Sequence, residues 1–104
     1  MKRVIILPFA KEDLRQAGRF YDCQSEGLGE YFLDAITAEI DALAFFPGRH
    51  QKRGTQFRLL AKKFPFYVYY QLDEELVFVR AVVDARSDPA AIEAREIQEE
   101  REID

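Results

Sequence analysis

The run Leu76-Val77-Phe78-Val79-Arg80-Ala81-Val82-Val83 constrains this chain more than any other segment. Its residues are β-branched, aromatic or small, and apolar on both sides of any strand alternation except at Arg80. A strand of that kind needs cover on both faces and belongs inside a sheet rather than at its margin. Its neighbours supply the sheet. Residues 66–72, Phe-Tyr-Val-Tyr-Tyr-Gln-Leu, are dense in β-favouring aromatics, and Asp73-Glu74-Glu75 is a polar hairpin turn between the two strands. Residues 57–62, Phe-Arg-Leu-Leu-Ala-Lys, read as a third strand, with Pro65 in the link, where it removes no ladder bond. Short links predict an antiparallel meander.

The first half reads differently. Residues 3–7, Arg-Val-Ile-Ile-Leu, are a short buried strand, with Pro8 marking its end. Lys11, Glu12 and Asp13 then open a helix whose inner stripe is Leu14, Ala17, Phe20 and Tyr21, recurring at three- and four-residue spacing. Gly27-Leu28-Gly29 breaks it. A second helix over residues 30–46 turns Phe32, Leu33, Ile36, Ile40, Leu43 and Ala44 inward, until Pro47-Gly48 stops it. So short a link predicts an antiparallel helical hairpin. Residues 48–54 read as an exposed basic loop. Ser87-Asp88-Pro89 opens a last, weakly amphipathic helix or charged tail from about residue 88. The order is β-α-α-β-β-β-α, an α+β fold: an antiparallel-rich sheet with the helical hairpin on one face. At 104 residues the expectation is one domain over 1–104.

Charge is unevenly placed. Residues 1–87 carry 13 Lys/Arg and 12 Asp/Glu, net +1, whereas residues 88–104 carry two and seven, net −5. Between Ala42 and Leu72 there is no acid, while Arg49, Lys52, Arg53, Arg58, Lys62 and Lys63 contribute +6. A basic middle suits an acidic or polyanionic partner, or is a solvated strand face. The single cysteine, Cys23, reads as a small core hydrophobe, and a lone His50 gives no His–Cys metal spacing. No metal or cofactor is expected. The amino-terminal apolar run is too short for a signal peptide, and no stretch suits a bilayer span, so the expected compartment is the cytoplasm, without membrane association.

Four pieces, in order, resemble the RelE/ParE toxin family, the plasmid stabilisation proteins of type II toxin–antitoxin systems: Arg19-Phe20-Tyr21; Gly27-Leu28-Gly29-Glu30-Tyr31-Phe32-Leu33-Asp34; Phe64-Pro65-Phe66-Tyr67-Val68-Tyr69-Tyr70; and Ala81-Val82-Val83-Asp84-Ala85-Arg86-Ser87-Asp88-Pro89. The resemblance spans residues 4 to about 92 and lies closer to the ParE-like branch. It implies a growth-inhibiting toxin neutralised by a cognate antitoxin, whose flexible segment wraps the domain. ParE-like members bind DNA gyrase; RelE-like members are metal-independent endoribonucleases that cut messenger RNA on the ribosome. A third possibility is an inert relative that only binds its partner.

For the nuclease mode the resemblance implies Arg86 as a phosphate clamp; Arg58 and Lys62 are candidate companions, and Asp84 is a candidate base or a cap of the next turn. For target binding the candidates are Lys52, Arg53, Arg80 and Arg86. Strand alternation puts Lys62 and Lys63 on opposite faces. The chain departs from the nuclease pattern at Asp84, Ser87 and Ile92, which stand where relatives carry His, Arg and a late Tyr. An aspartate there repels a polyanion, and a missing tyrosine removes a proton carrier. These departures favour the binding mode over cleavage. Tyr67 and Tyr69 share one strand face and read first as core, second as a base-stacking platform. Oligomeric state is open.

Overall fold

The computed structural model describes residues 1–101. Strand β1 (Arg3–Ile6) leads into helix α1 (Pro8–Gln24) and helix α2 (Leu28–Ala42). Strands β2 (Gln51–Arg53), β3 (Gln56–Leu60), β4 (Phe66–Asp73) and β5 (Leu76–Asp84) follow, then helix α3 (Pro89–Arg101). The sheet runs β1-β5-β4-β3-β2. β1 lies parallel to β5, and every other pair is antiparallel. β5 is thus internal, flanked by β1 and β4, as its apolar run requires.

One element is absent from the sequence reading. Residues 51–53 form an edge strand paired with β3, not an open loop. Gly54, with φ +66°, supplies the left-handed turn that folds β2 back. Three polar residues have too little apolar periodicity to announce a strand. The order is therefore β-α-α-β-β-β-β-α.

Pro8 does not merely end β1; it starts α1, where its missing N–H is one the helix would leave unbonded anyway. The hairpin turn relies on Gly27 at φ +84°, so α2 begins at Leu28. It ends at Ala42, earlier than expected, and residues 43–46 continue as turns.

Leu14, Tyr21, Phe32, Ile36, Ile40 and Leu43 pack on one sheet face against Leu59, Phe66, Val68, Tyr70, Val77, Val79 and Val82. Phe20 was expected in this stripe but lies half exposed on α1, while Gly18 takes the buried position. Cys23 is exposed on the last turn of α1, not a core residue. The core has Tyr21 and Phe32 at its aromatic centre, with ring centroids 5.0 Å apart.

β5 carries a bulge. Tyr69 stands opposite Ala81 and Tyr70 opposite Val79, so Arg80 has no partner across the ladder. Beyond it Val82 keeps its place in the core, while Arg80 reaches the other face of the sheet. β1 stops opposite Val79, leaving the rest of β5 without a neighbour on that side. The Val82 N–H there donates instead to the Asp13 carboxylate of α1, at 2.9 Å.

Candidate functional site

The face of the sheet away from the helical hairpin is not open. Alternation along β3 and β4 sends Gln56, Arg58, Tyr67 and Tyr69 to it, and α3 lies over them. Two acids on α3, one helical turn apart, meet this face. Glu96 accepts from Arg53 Nη2 at 3.1 Å, Arg58 Nη1 at 3.1 Å and the Tyr69 hydroxyl at 2.5 Å. Glu99, with its side chain only 3% exposed, faces Arg80 Nε at 3.9 Å and accepts from Arg95 Nε at 3.0 Å. Arg95 also donates to Asp13 at 2.7 Å, so α3 is clasped to α1 around the open edge of β5. The Arg58 guanidinium stacks on the Tyr67 ring, 4.0 Å from its centroid.

These contacts set the ionisation of the group at their centre. Burial works to push the Glu96 carboxyl up, but the hydrogen bonds from Arg53 and Tyr69 and the charges of Arg53 and Arg58 outweigh it and hold it below the glutamate value of 4.5. Burial, then the bond to Glu96, push the Tyr69 hydroxyl well above its ordinary range, so it stays a donor. A depressed carboxyl contributes stability that is complete above its unfolded value and is lost as pH falls through the folded one. α3 should therefore loosen in acid before the sheet does. Hydrogen exchange at pH 7 and pH 3 is expected to show protection lost first in α3. Glu96→Gln should remove on the order of 2 kcal/mol of helix docking already at pH 7. Equal protection of α3 and β5 in acid would contradict this.

The residues expected from the sequence fall into separate groups. Arg53, Arg58 and Arg80 gather beneath α3. Arg86 lies elsewhere, at the end of β5, where its Nη2 donates to Asp84 at 3.1 Å and to the Tyr21 hydroxyl at 3.4 Å. Burial pushes the Asp84 carboxyl up, but the Arg86 hydrogen bonds prevail and keep it below its ordinary value. Lys62 lies past the end of β3, so strand alternation does not govern it or Lys63. Its backbone N–H donates to Glu39 of α2 at 2.9 Å, and it lines a cavity along α2 with Tyr31 and Ala35. Lys52 is exposed on β2, with Nζ 5.3 Å above the Phe57 ring. Arg86, Arg58, Lys62 and Asp84 thus form no single contact set.

Glu96, Glu99 and Gln56 escaped the sequence reading. The signal for the acids was present: a tail of net −5 in the same chain as a middle of +6. No group of three or more His, Cys, Asp or Glu among the described residues is placed to hold a metal ion. No helix there is long and apolar enough to cross a membrane.

Comparison with known proteins settles the family. Residues 4–89 match the family described as the ParE toxin of the type II toxin–antitoxin system, parDE. The chain belongs to the ParE toxin family. No curated protein matches this toxin. Among solved structures it resembles a chain of the chromosomal ParDE toxin–antitoxin system from P. aeruginosa, with a TM-score of 0.74 and 12% identity. That match covers 83% of this chain and 98% of the other. At this identity it attests to the fold alone. The matched family segment stops at the first residue of α3, so the acidic helix over the sheet lies outside it.

Proposed function

We propose that this ParE-family toxin inhibits growth stoichiometrically, by binding a protein target in the cytoplasm, with DNA gyrase the first to test, and that a cognate antitoxin neutralises it. The observation that carries this reading is the pairing of its cations. Cleaving RNA through a 2′-hydroxyl requires a base, a stabiliser of the phosphate's developing charge and an acid for the leaving oxygen. Arg58 is held by Glu96 and Arg86 by Asp84, so both arginines that would serve the phosphate already face a carboxylate, and Lys62 lies apart from them along α2. Asp84, kept below its ordinary value, is a weaker base than a free aspartate.

The test is a pair of assays on the purified chain. Supercoiling by gyrase should be inhibited at near-stoichiometric toxin, and messenger RNA on purified ribosomes should stay intact. Ribosome-dependent cleavage that Arg86→Ala reduces by about a hundredfold or more would overturn the reading. Co-expression with the protein encoded by the adjoining reading frame should restore growth.

A further inference from the structure

We propose that the cavity beyond the end of α2, rimmed by Arg49, His50 and Lys62, binds a small monocarboxylate with an apolar body. Residues 43–50 turn back over β3 there and leave a cavity of about 240 Å3. The inference goes beyond the target reading above and involves none of the contacts of α3.

Three observations carry it. First, the fold fixes a donor there. Tyr70 is fully buried, and its hydroxyl accepts from the Gly48 N–H at 2.9 Å. The hydroxyl's own hydrogen needs an acceptor, and His50 Nδ1 stands 2.6 Å away. The imidazole is therefore the Nε2–H tautomer. Burial, then the Arg49 charge, hold it below its ordinary pKa, which keeps this neutral form at pH 7. His50 lines the cavity, so Nε2–H is the donor a ligand there meets. Second, two cations on the rim face no acid of their own. Neither Arg49 nor Lys62 forms a salt bridge among the described residues, whereas Arg53, Arg58, Arg80, Arg86 and Arg95 all do. Glu39 shares the rim, and its carboxylate accepts the Lys62 backbone N–H at 2.9 Å. Two cations less one acid leave +1, which matches one carboxylate better than a dianion. Third, the remaining lining is apolar. Leu43 and Leu59 are its buried floor, and Phe46, 58% exposed, is a wall with the Arg49 guanidinium 5.1 Å from its ring centroid. An uncovered ring beside charged donors suits a ligand that has both an apolar and a charged part.

Size and charge select the ligand. A cavity of this volume holds on the order of ten non-hydrogen atoms, fewer than a drug-sized molecule has. The carboxylate takes charge-assisted hydrogen bonds from the rim donors, and the body covers Phe46 and the two leucines. A carboxylate bound beside His50 favours the imidazolium, so occupancy raises the histidine's pKa. His50 is the chain's one histidine, which makes that change readable without a variant.

The test titrates the full chain with phenylacetate at about pH 7 and reads the His50 imidazole by proton NMR. Binding is expected with a Kd on the order of 1 mM or tighter. Saturation should raise the His50 pKa by about 0.5 or more. Phenylacetamide, which lacks the charge, acetate, which lacks the ring, and phenyl phosphate, a dianion, should each bind at least roughly fivefold more weakly. Arg49→Gln and Lys62→Gln should each weaken phenylacetate by roughly fivefold or more. Lys11→Gln, an equal change of charge on an exposed residue of α1, should leave it unchanged. N-acetylphenylalanine presents the same chemistry as the last residue of a peptide, and whichever acid binds more tightly names the source of the ligand. The proposal is overturned if neither acid moves the His50 signal, if the amide or acetate binds as tightly as phenylacetate, if the phosphate ester binds more tightly, or if Lys11→Gln costs as much as Lys62→Gln. The ligand series needs no variant to fold, and none of these readouts involves gyrase, so their failure and that of the target reading are separately visible.

Discussion

Gly29→Ala is expected to lower the melting temperature by roughly 15–25 °C, a loss of about 3–5 kcal/mol for a domain of this size. Gly29 sits in the first turn of α2, directly against the backbone of α1. A Cβ built on it would stand 2.3 Å from the Gly18 carbonyl oxygen and 2.7 Å from Cγ and Oδ1 of Asp22. The first of these is backbone inside α1 and cannot swing aside, so the helices must separate. Overpacking of that kind costs about 1–3 kcal/mol. Separation would also break the bond from the Gly29 N–H to Asp22 Oδ1, now 2.7 Å, leaving a part-buried donor unmet for a further 1–3 kcal/mol or so. Gly18→Ala is the control. Its Cβ would meet only the Leu33 side chain, at 3.4 Å or more, and alanine gains about 0.5–1 kcal/mol of helix propensity over glycine. Thermal denaturation of both variants should therefore show a large loss at Gly29 and a change of a few degrees at Gly18. Equal effects would mean that the close crossing is not what Gly29 provides.

That contrast shows how far local pattern carries. Gly27-Leu28-Gly29 reads as a break in the sequence, and it is one, but its two glycines act differently. Gly27 supplies a left-handed backbone, which a turn reading anticipates; Gly29 supplies absence of volume, which only the partner helix reveals. The internal position of β5 was legible because an apolar run has no other stable place. β2 was not, because a three-residue polar edge strand is created by pairing with β3 and not by its own periodicity. Phe20 lies at the margin of the α1 stripe, which is centred on Ala10, Leu14, Gly18 and Tyr21, and the spacing of apolar residues alone does not say where a stripe's edge falls.

The site was less legible than the fold. Arg53, Arg58 and Arg80 were singled out as cations, but nothing in their spacing says that they converge. Convergence comes from the antiparallel register of β2, β3 and β4, and for Arg80 from the bulge that leaves it without a partner across the ladder. The basic middle suits an acidic partner or a solvated strand face, and its sequence does not choose. The fold brings acids to part of it from within the chain, because the meander returns residue 96 over residues 53–69. Sequence distance concealed a complementarity that the charge totals of the two segments already contained.

Phe32→Ala is expected to be the most damaging truncation in the core, at about 3–5 kcal/mol. Phe32 is fully buried on α2 and touches three other rings, with centroids 5.0 Å from Tyr21, 5.1 Å from Phe64 and 5.0 Å from Phe66. Those rings come from α1, from the link before β4 and from β4 itself, so one side chain joins the hairpin to the sheet. Removing it leaves a void lined by rigid aromatics that cannot collapse as flexible aliphatics do, which places the loss toward the upper end of the range. Edge-to-face and tilted ring contacts add about 0.5–1.5 kcal/mol each beyond area burial, and all three are lost together. Phe20→Ala, on α1 of the same hairpin but half exposed, should cost under about 1 kcal/mol although it deletes the same atoms. Urea denaturation of the two variants separates these cases: the midpoint should fall steeply for Phe32→Ala and little for Phe20→Ala, with similar slopes. A Phe20→Ala loss as large as that of Phe32→Ala would place the hairpin's contact with the sheet along a different stripe of α1, and would remove the aromatic centre from the account of what holds the two layers together.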